Sequence, residues 1–117
     1  MSNYVKVGLE NAPRVELHDK LGLTGAEISI NTLPAGECVP FVHSHKQNEE
    51  IYYILSGSGK VVIDNENINL VAGDWLKISP NAERQFFASK DNSISYICIQ
   101  TKENSLEEFT ANDAIIK

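Results

Sequence analysis

Long apolar stretches are missing from this chain. The longest run of strongly apolar residues is Ile51-Tyr52-Tyr53-Ile54-Leu55, far too short to cross a bilayer, and nothing near the N-terminus pairs a charged segment with the apolar stretch of a secretory leader. No membrane partner is expected, and the expected location is cytoplasmic. Cysteine is scarce too. Cys38 and Cys98 stand far apart with no Cys-x-x-Cys spacing, so two reduced thiols are expected rather than a disulfide. Basic residues are few: 10 Lys and Arg face 16 Asp and Glu, for a net charge of −6, and no basic cluster forms along the chain. A surface that tracks phosphates would have to work against the protein's own field, so no nucleic acid partner is expected. Internal repeats, low-complexity tracts and linkers are also absent. The 117 residues suffice for one buried core, and residues 1–117 read as a single domain.

What is present is a period of two. Ala26 to Leu33 alternates over its whole length and stops at Pro34-Ala35-Gly36, and Val39 to His43 is a short extended piece. Glu50 to Leu55 reads as a strand closed by Ser56-Gly57-Ser58-Gly59. Lys60 to Ile63 and Ile68 to Val71 flank Asp64-Asn65-Glu66-Asn67, whose residues tolerate positive φ, and together they predict a hairpin. Trp75 to Ile78, Arg84 to Ala88 and Ile94 to Thr101 complete an all-β pattern with barrel-like intervals, the barrel core running from about 26 to 101. Only the tail offers a helix, where Ser105 and Glu108 form a capping box around Leu106-Glu107-Glu108-Phe109.

The chemistry concentrates at His43-Ser44-His45 and Glu50. Two imidazoles at i and i+2 on an extended segment face the same side, and a carboxylate on the next strand can meet them. On a helix the same pair would point about 200° apart and could not share an ion. Two His and one carboxylate with other positions open form the donor set of divalent transition-metal sites, for Fe, Mn, Ni or Zn alike. Alternation names the walls of such a site: Tyr52 lies in phase with Glu50, Phe41 with His43 and His45, and Phe86 with Arg84. A small organic ligand suits a pocket with these apolar and aromatic sides. Trp75 is expected to pack or contact a second subunit, and His18, in a polar stretch, to face solvent. Cys38 is expected to be a small buried hydrophobe directed away from the site.

From Gly36 to Phe87 the chain resembles the cupins, β-barrels of the double-stranded β-helix type within the jelly-roll group. The first cupin motif is matched by Gly36, His43, His45, Glu50 and Gly57, with Gly36 one residue early. Glu49 is adjacent to Glu50, but only Glu50 keeps the six-residue gap to Gly57. In the second motif Gly73 and Asp74 match, Ser79 stands at the Pro position, and Asn81 replaces a Gly, which its tolerance of left-handed backbone permits. Arg84 takes the place of the family's third metal-binding His, and Ala88 that of an Asn. The resemblance implies a barrel that binds one divalent metal through His43, His45 and Glu50 and acts on a small anionic or oxygenated organic molecule; the alternative is a non-catalytic, metal-free binding cupin. It also implies a homodimer, with Tyr4-Val5-Lys6-Val7 available to pair with a partner's sheet.

Arg84 decides between these. A guanidinium donates only and does not deprotonate, so it cannot be a metal ligand. At ~5 Å and an effective dielectric of ~20, it would repel a site of net charge about +1 by roughly 3 kcal/mol, which demands a compensating anion. Three arrangements are open. Arg84 clamps an anionic ligand group that also touches the metal, or it pairs with Glu49 or Glu50, the Glu50 pair giving a metal-free pocket, or a bulge turns Gln85 inward as a further ligand and leaves Arg84 outside.

Overall fold

The computed structural model describes residues 3–117, with strands β1 (Arg14–Glu16), β2 (Glu27–Leu33), β3 (Asn48–Ile63), β4 (Glu66–Val71), β5 (Trp75–Ile78), β6 (Arg84–Ala88) and β7 (Ile94–Lys102). Two single-turn helices, α1 (His18–Leu21) and α2 (Thr110–Asp113), are the helical elements among the described residues. Every strand pairing is antiparallel, and burial alternates along the strands, which is why a period of two is legible in most of them.

β3 organises the barrel. Its first half lies between β7 and β5 in a sheet that continues through β2 to β1, and its second half lies between β4 and β6. The strand therefore changes sheets partway along, and the pairing with β7 shifts register between Ile54 and Ser56. Here the structure departs from the expected stop at Ser56-Gly57-Ser58-Gly59. The glycines do not end the strand; they let two neighbours approach its bend. A Cβ on Gly57, at φ 78°, would lie 1.8 Å from the Ser93 carbonyl oxygen, and one on Gly59 would lie 2.2 Å from that of Phe87.

The core is a contiguous set drawn from β3 to β7: Tyr52 and Ile54, Val61, Leu70, Ile78, Phe86, and Ile94, Tyr96 and Cys98. Asp64 and Asn65, both at positive φ, form a two-residue turn between β3 and β4, tighter than the four-residue loop expected. Asn81 adopts φ 72°, the left-handed position foreseen for it.

Three local expectations fail for identifiable reasons. Ser105 does not cap a helix at 106–109, because its hydroxyl donates to the Lys102 carbonyl at 2.6 Å and closes a turn after β7; the tail's helical turn comes later, at α2. Cys38 is exposed rather than buried, since it sits on an irregular segment held to β6 by an isolated bridge to Phe87. The N-terminal stretch hides two elements that were not anticipated, β1 and α1, the latter closed by Gly22 at φ 65°. Tyr4 to Val7 form no strand in the single chain and are exposed.

Candidate metal and ligand site

The site forms where β3 passes opposite the segment from Val39 to His45. That segment is not a regular strand, yet its backbone is tied to β6 and the turn before it: Val39 N donates to Phe86 O, His43 and Arg84 exchange two hydrogen bonds of 3.1 and 2.9 Å, and Asn81 N donates to His45 O. These bonds impose strand-like parity. His43 and His45 therefore share a side, as i and i+2 require, and their rings lie edge to face with centroids 5.3 Å apart. Glu50 reaches them from β3. His45 Nε2 is 3.1 Å from Glu50 Oε2 and His43 Nε2 is 4.0 Å from Glu50 Oε1, and one donor atom from each of the three residues falls within 4.8 Å of the others.

Glu50 is 3% exposed and stands at the centre of a polar cluster. Arg84 Nη1 donates to its Oε1 at 2.7 Å, the Tyr52 hydroxyl donates to the same oxygen at 2.5 Å, and the Cys98 thiol donates to Oε2 at 3.3 Å. Arg84 is fully buried, and its second terminal nitrogen is held by the Ser79 carbonyl at 3.0 Å. Of the three arrangements open to Arg84, the structure adopts the ion pair with Glu50. Gln85 stays out of the site, its amide donating to Val39 O at 2.7 Å, because β6 has no bulge and consecutive residues alternate. Glu49 is likewise out of phase with Glu50 and lies away from the cavity.

Electrostatics follow from this packing. Burial works to raise the Glu50 carboxyl, but the Tyr52 hydrogen bond, the His45 imidazole, the Cys98 thiol and Arg84 together outweigh it and hold the group below its usual value. Burial lowers His43, against the opposing pull of Glu50 and with the help of Arg84, His45 and Arg14. Tyr52 and Tyr96 are pushed up, chiefly by burial, and stay protonated donors. Burial, then the neighbouring Glu50 charge, pushes the Cys98 thiol up to about 12. Two imidazole nitrogens, His43 Nδ1 and His45 Nε2, are buried without a hydrogen-bond partner, as is Arg84 Nε. His45 Nε2 is near Glu50 but not aligned with it.

A cavity of about 500 Å³ opens onto this cluster, within the size range of small-molecule sites. His43, His45, Glu50, Tyr52 and Phe86 line it, in agreement with parity. Phe86 is stacked on Tyr96 at 4.8 Å and tilted against Tyr52 at 4.5 Å, so it is core and wall at once. Phe41 belongs to the rim: it is 57% exposed, its ring edge-on to His43 at 5.7 Å. Arg84 is not part of the wall, because Glu50 stands between it and the open space. Trp75 is 67% exposed and packs on Tyr53 outside the barrel, and His18 faces solvent beside Asp19.

Among the wall residues that the sequence does not reveal are Cys98 and Arg14. Cys98 is the cross-strand partner of Tyr52, a relation across 46 positions that only the register of β3 and β7 reveals. Arg14 comes from the short edge strand β1, whose three residues carry too little pattern to be recognised.

Comparison with known proteins agrees with this geometry. The cupin-domain family matches residues 29–100. A cupin protein of Bacteroides fragilis, solved by crystallography, is 58% identical and superposes with a TM-score of 0.97, covering 100% of this chain and 99% of that one. A predicted oxalate decarboxylase from Thermotoga maritima shares the fold at a TM-score of 0.60, with 23% identity over 64% of each chain. An uncharacterised protein of Methanocaldococcus jannaschii is 31% identical over 67 residues, 57% of this chain and 54% of that protein, so the chain spans about half the length of the curated relative it matches. With the barrel, the two motifs and the matched segment in accord, the chain belongs to the cupin family.

Proposed function

We propose that this cupin binds one divalent transition metal through His43, His45 and Glu50 and, beside it in the cavity, a small anionic or oxygenated organic molecule on which it acts. The observation that carries this reading is the buried, unpartnered His45 Nε2 set 3.1 Å from a carboxylate oxygen, with His43 on the same side. Leaving a buried ring nitrogen unpaired costs roughly 1–3 kcal/mol, and a metal would relieve that cost. Nitrogen, nitrogen and carboxylate oxygen suit Fe, Mn, Ni or Zn without separating them. A metal held there supplies a Lewis acid to an oxygen of the bound molecule.

The chain's own residues set the conditions. Tyr52 and Cys98 hold the carboxylate of Glu50 in one orientation, Phe86 and Tyr96 keep water from its flank, and Arg84 neutralises it from behind. Because Glu50 is already compensated, a divalent ion adds about two uncancelled positive charges rather than one. Metal and anionic ligand should therefore bind cooperatively, each favouring the other.

The ion pair also supports a second reading, a metal-free cupin that holds its ligand without turnover. Metal analysis discriminates. Untagged protein is assayed for Fe, Mn, Ni and Zn, alone and beside His45→Ala; near-stoichiometric metal lost in the variant supports the first reading, and substoichiometric metal in the wild type rejects it. We further propose a homodimer, supported by the exposed Tyr4, Val5 and Val7, with light scattering as the measurement; a 13.0 kDa monomer would reject it.

A further inference from the structure

Arg14 projects from β1 on the barrel side of the sheet. Its cross-strand partner is Asn31, which pairs in turn with Tyr96, so the three lie in one row across β1, β2 and β7. The row faces the cavity, and all three residues line it. The guanidinium is also steered. Its Nη1 donates to Asn31 Oδ1 at 2.6 Å, and Asn31 Nδ2 donates to Ser29 Oγ at 3.0 Å, with Asn31 and Ser29 both buried. A long flexible side chain is thus held in one direction before any ligand arrives, which lowers the entropy lost on binding.

The charges around the cavity leave this residue unanswered. Glu50 is neutralised by Arg84. Glu27, the other acidic wall residue, accepts the His18 backbone N–H at 3.1 Å and so serves the start of α1. Arg14 forms an ion pair with Glu16 at 3.7 Å, between side chains 56% and 62% exposed, a contact of little strength in water. Of its five N–H donors one is committed to Asn31, and the others remain for a ligand. In a chain of net charge −6, a preoriented cation on a cavity wall runs against the overall balance.

We propose that Arg14 is the anion-recognition residue of the pocket: it takes a carboxylate or similar oxyanion of the ligand, whose apolar body lies along Leu33, Val39 and Phe41 toward His43 and His45. The role that the second cupin motif invites for Arg84 passes to a residue outside the motif, because Arg84 is sealed behind Glu50. The inference rests on the ligand-binding reading above and names the ligand's class, an amphipathic small acid.

The test pairs small acids with their neutral amides, butyrate with butyramide and benzoate with benzamide. Binding is followed by ligand-observed NMR titration of chelator-treated wild type, R14Q and R14K. Wild type should prefer each acid over its amide by about tenfold, the size of one charge-assisted contact. R14Q should lose the preference and R14K should keep part of it. Equal binding of acid and amide to the wild type, a preference that survives in R14Q, or no binding by any of the four overturns the proposal. A thermal melt of each variant checks that it is folded. Metal content is scored separately: an acid preference without bound metal removes the metal and leaves Arg14, and stoichiometric metal without an acid preference does the reverse.

Discussion

Arg84 and Glu50 are joined at 2.7 Å at the floor of the cavity, one side chain fully buried and the other 3% exposed. The pair crosses from β6 to β3 and fixes the carboxylate that the two histidines face. It explains how an Arg can stand where the cupin motif has a ligand: the cation does not approach the cavity but supports the anion that lines it. A buried pair of this kind gains little over a well-packed apolar pair, yet losing one member leaves a charge with no compensation.

Removal of Arg84 should therefore cost far more than its contacts suggest. Arg84→Met is expected to lower unfolding free energy by about 3–5 kcal/mol, while the double variant Arg84→Met/Glu50→Gln recovers a large part of that loss. Urea unfolding of the wild type, both singles and the double completes the cycle. If the double variant is no more stable than Arg84→Met, the pair is not the source of the effect.

How much of this was visible in the sequence depended on where a residue's partners come from. Glu50 with Tyr52, and Arg84 with Phe86, were placed on the correct faces because parity along a strand is a local property, and a sheet with one buried face records it in every second residue. His43 and His45 were placed together for the same reason, although tethering to β6 rather than membership of a strand enforces it. The choice of Glu50 as the partner of Arg84 was not legible, since it depends on how the bend in β3 brings both of its neighbours to one point. Cys98 was hidden by a strand that is apolar on both faces, Ile94, Tyr96 and Cys98 on one and Ile97 and Ile99 on the other, so alternation carried no signal there. The glycines at 57 and 59 read as punctuation because a sequence does not distinguish a turn from a close backbone approach inside a strand.

Restoring the family's imidazole gives a second expectation. Arg84→His removes a positive charge from behind Glu50 and puts a nitrogen donor where the motif has its third His. With a repulsion of roughly 3 kcal/mol relieved, affinity for Zn or Ni should rise roughly a hundredfold. Competition against a chromophoric chelator measures this directly. Unchanged affinity would mean either that Arg84 exerts no field at the histidines or that the shorter ring does not reach them, and the melting curve of the variant with and without metal separates the two.

The thiols offer a check on the interior of the site that needs neither metal nor ligand. Reaction with a disulfide reagent requires thiolate and access together. Cys38 is exposed, whereas Cys98 is buried among Tyr52, Tyr96 and Glu50 with its thiol pushed up to about 12. At pH 8 the native protein should then release one equivalent of chromophore quickly, with the second appearing only as the chain unfolds. Cys38→Ser should abolish the fast phase and leave the slow one. The slow phase should quicken in Arg84→Met, because a weakened barrel opens more often, and its rate against urea should follow the unfolding curve. A rapid second equivalent from the folded wild type would place Cys98 in solvent, and with it the cavity wall that Tyr52 and Glu50 share.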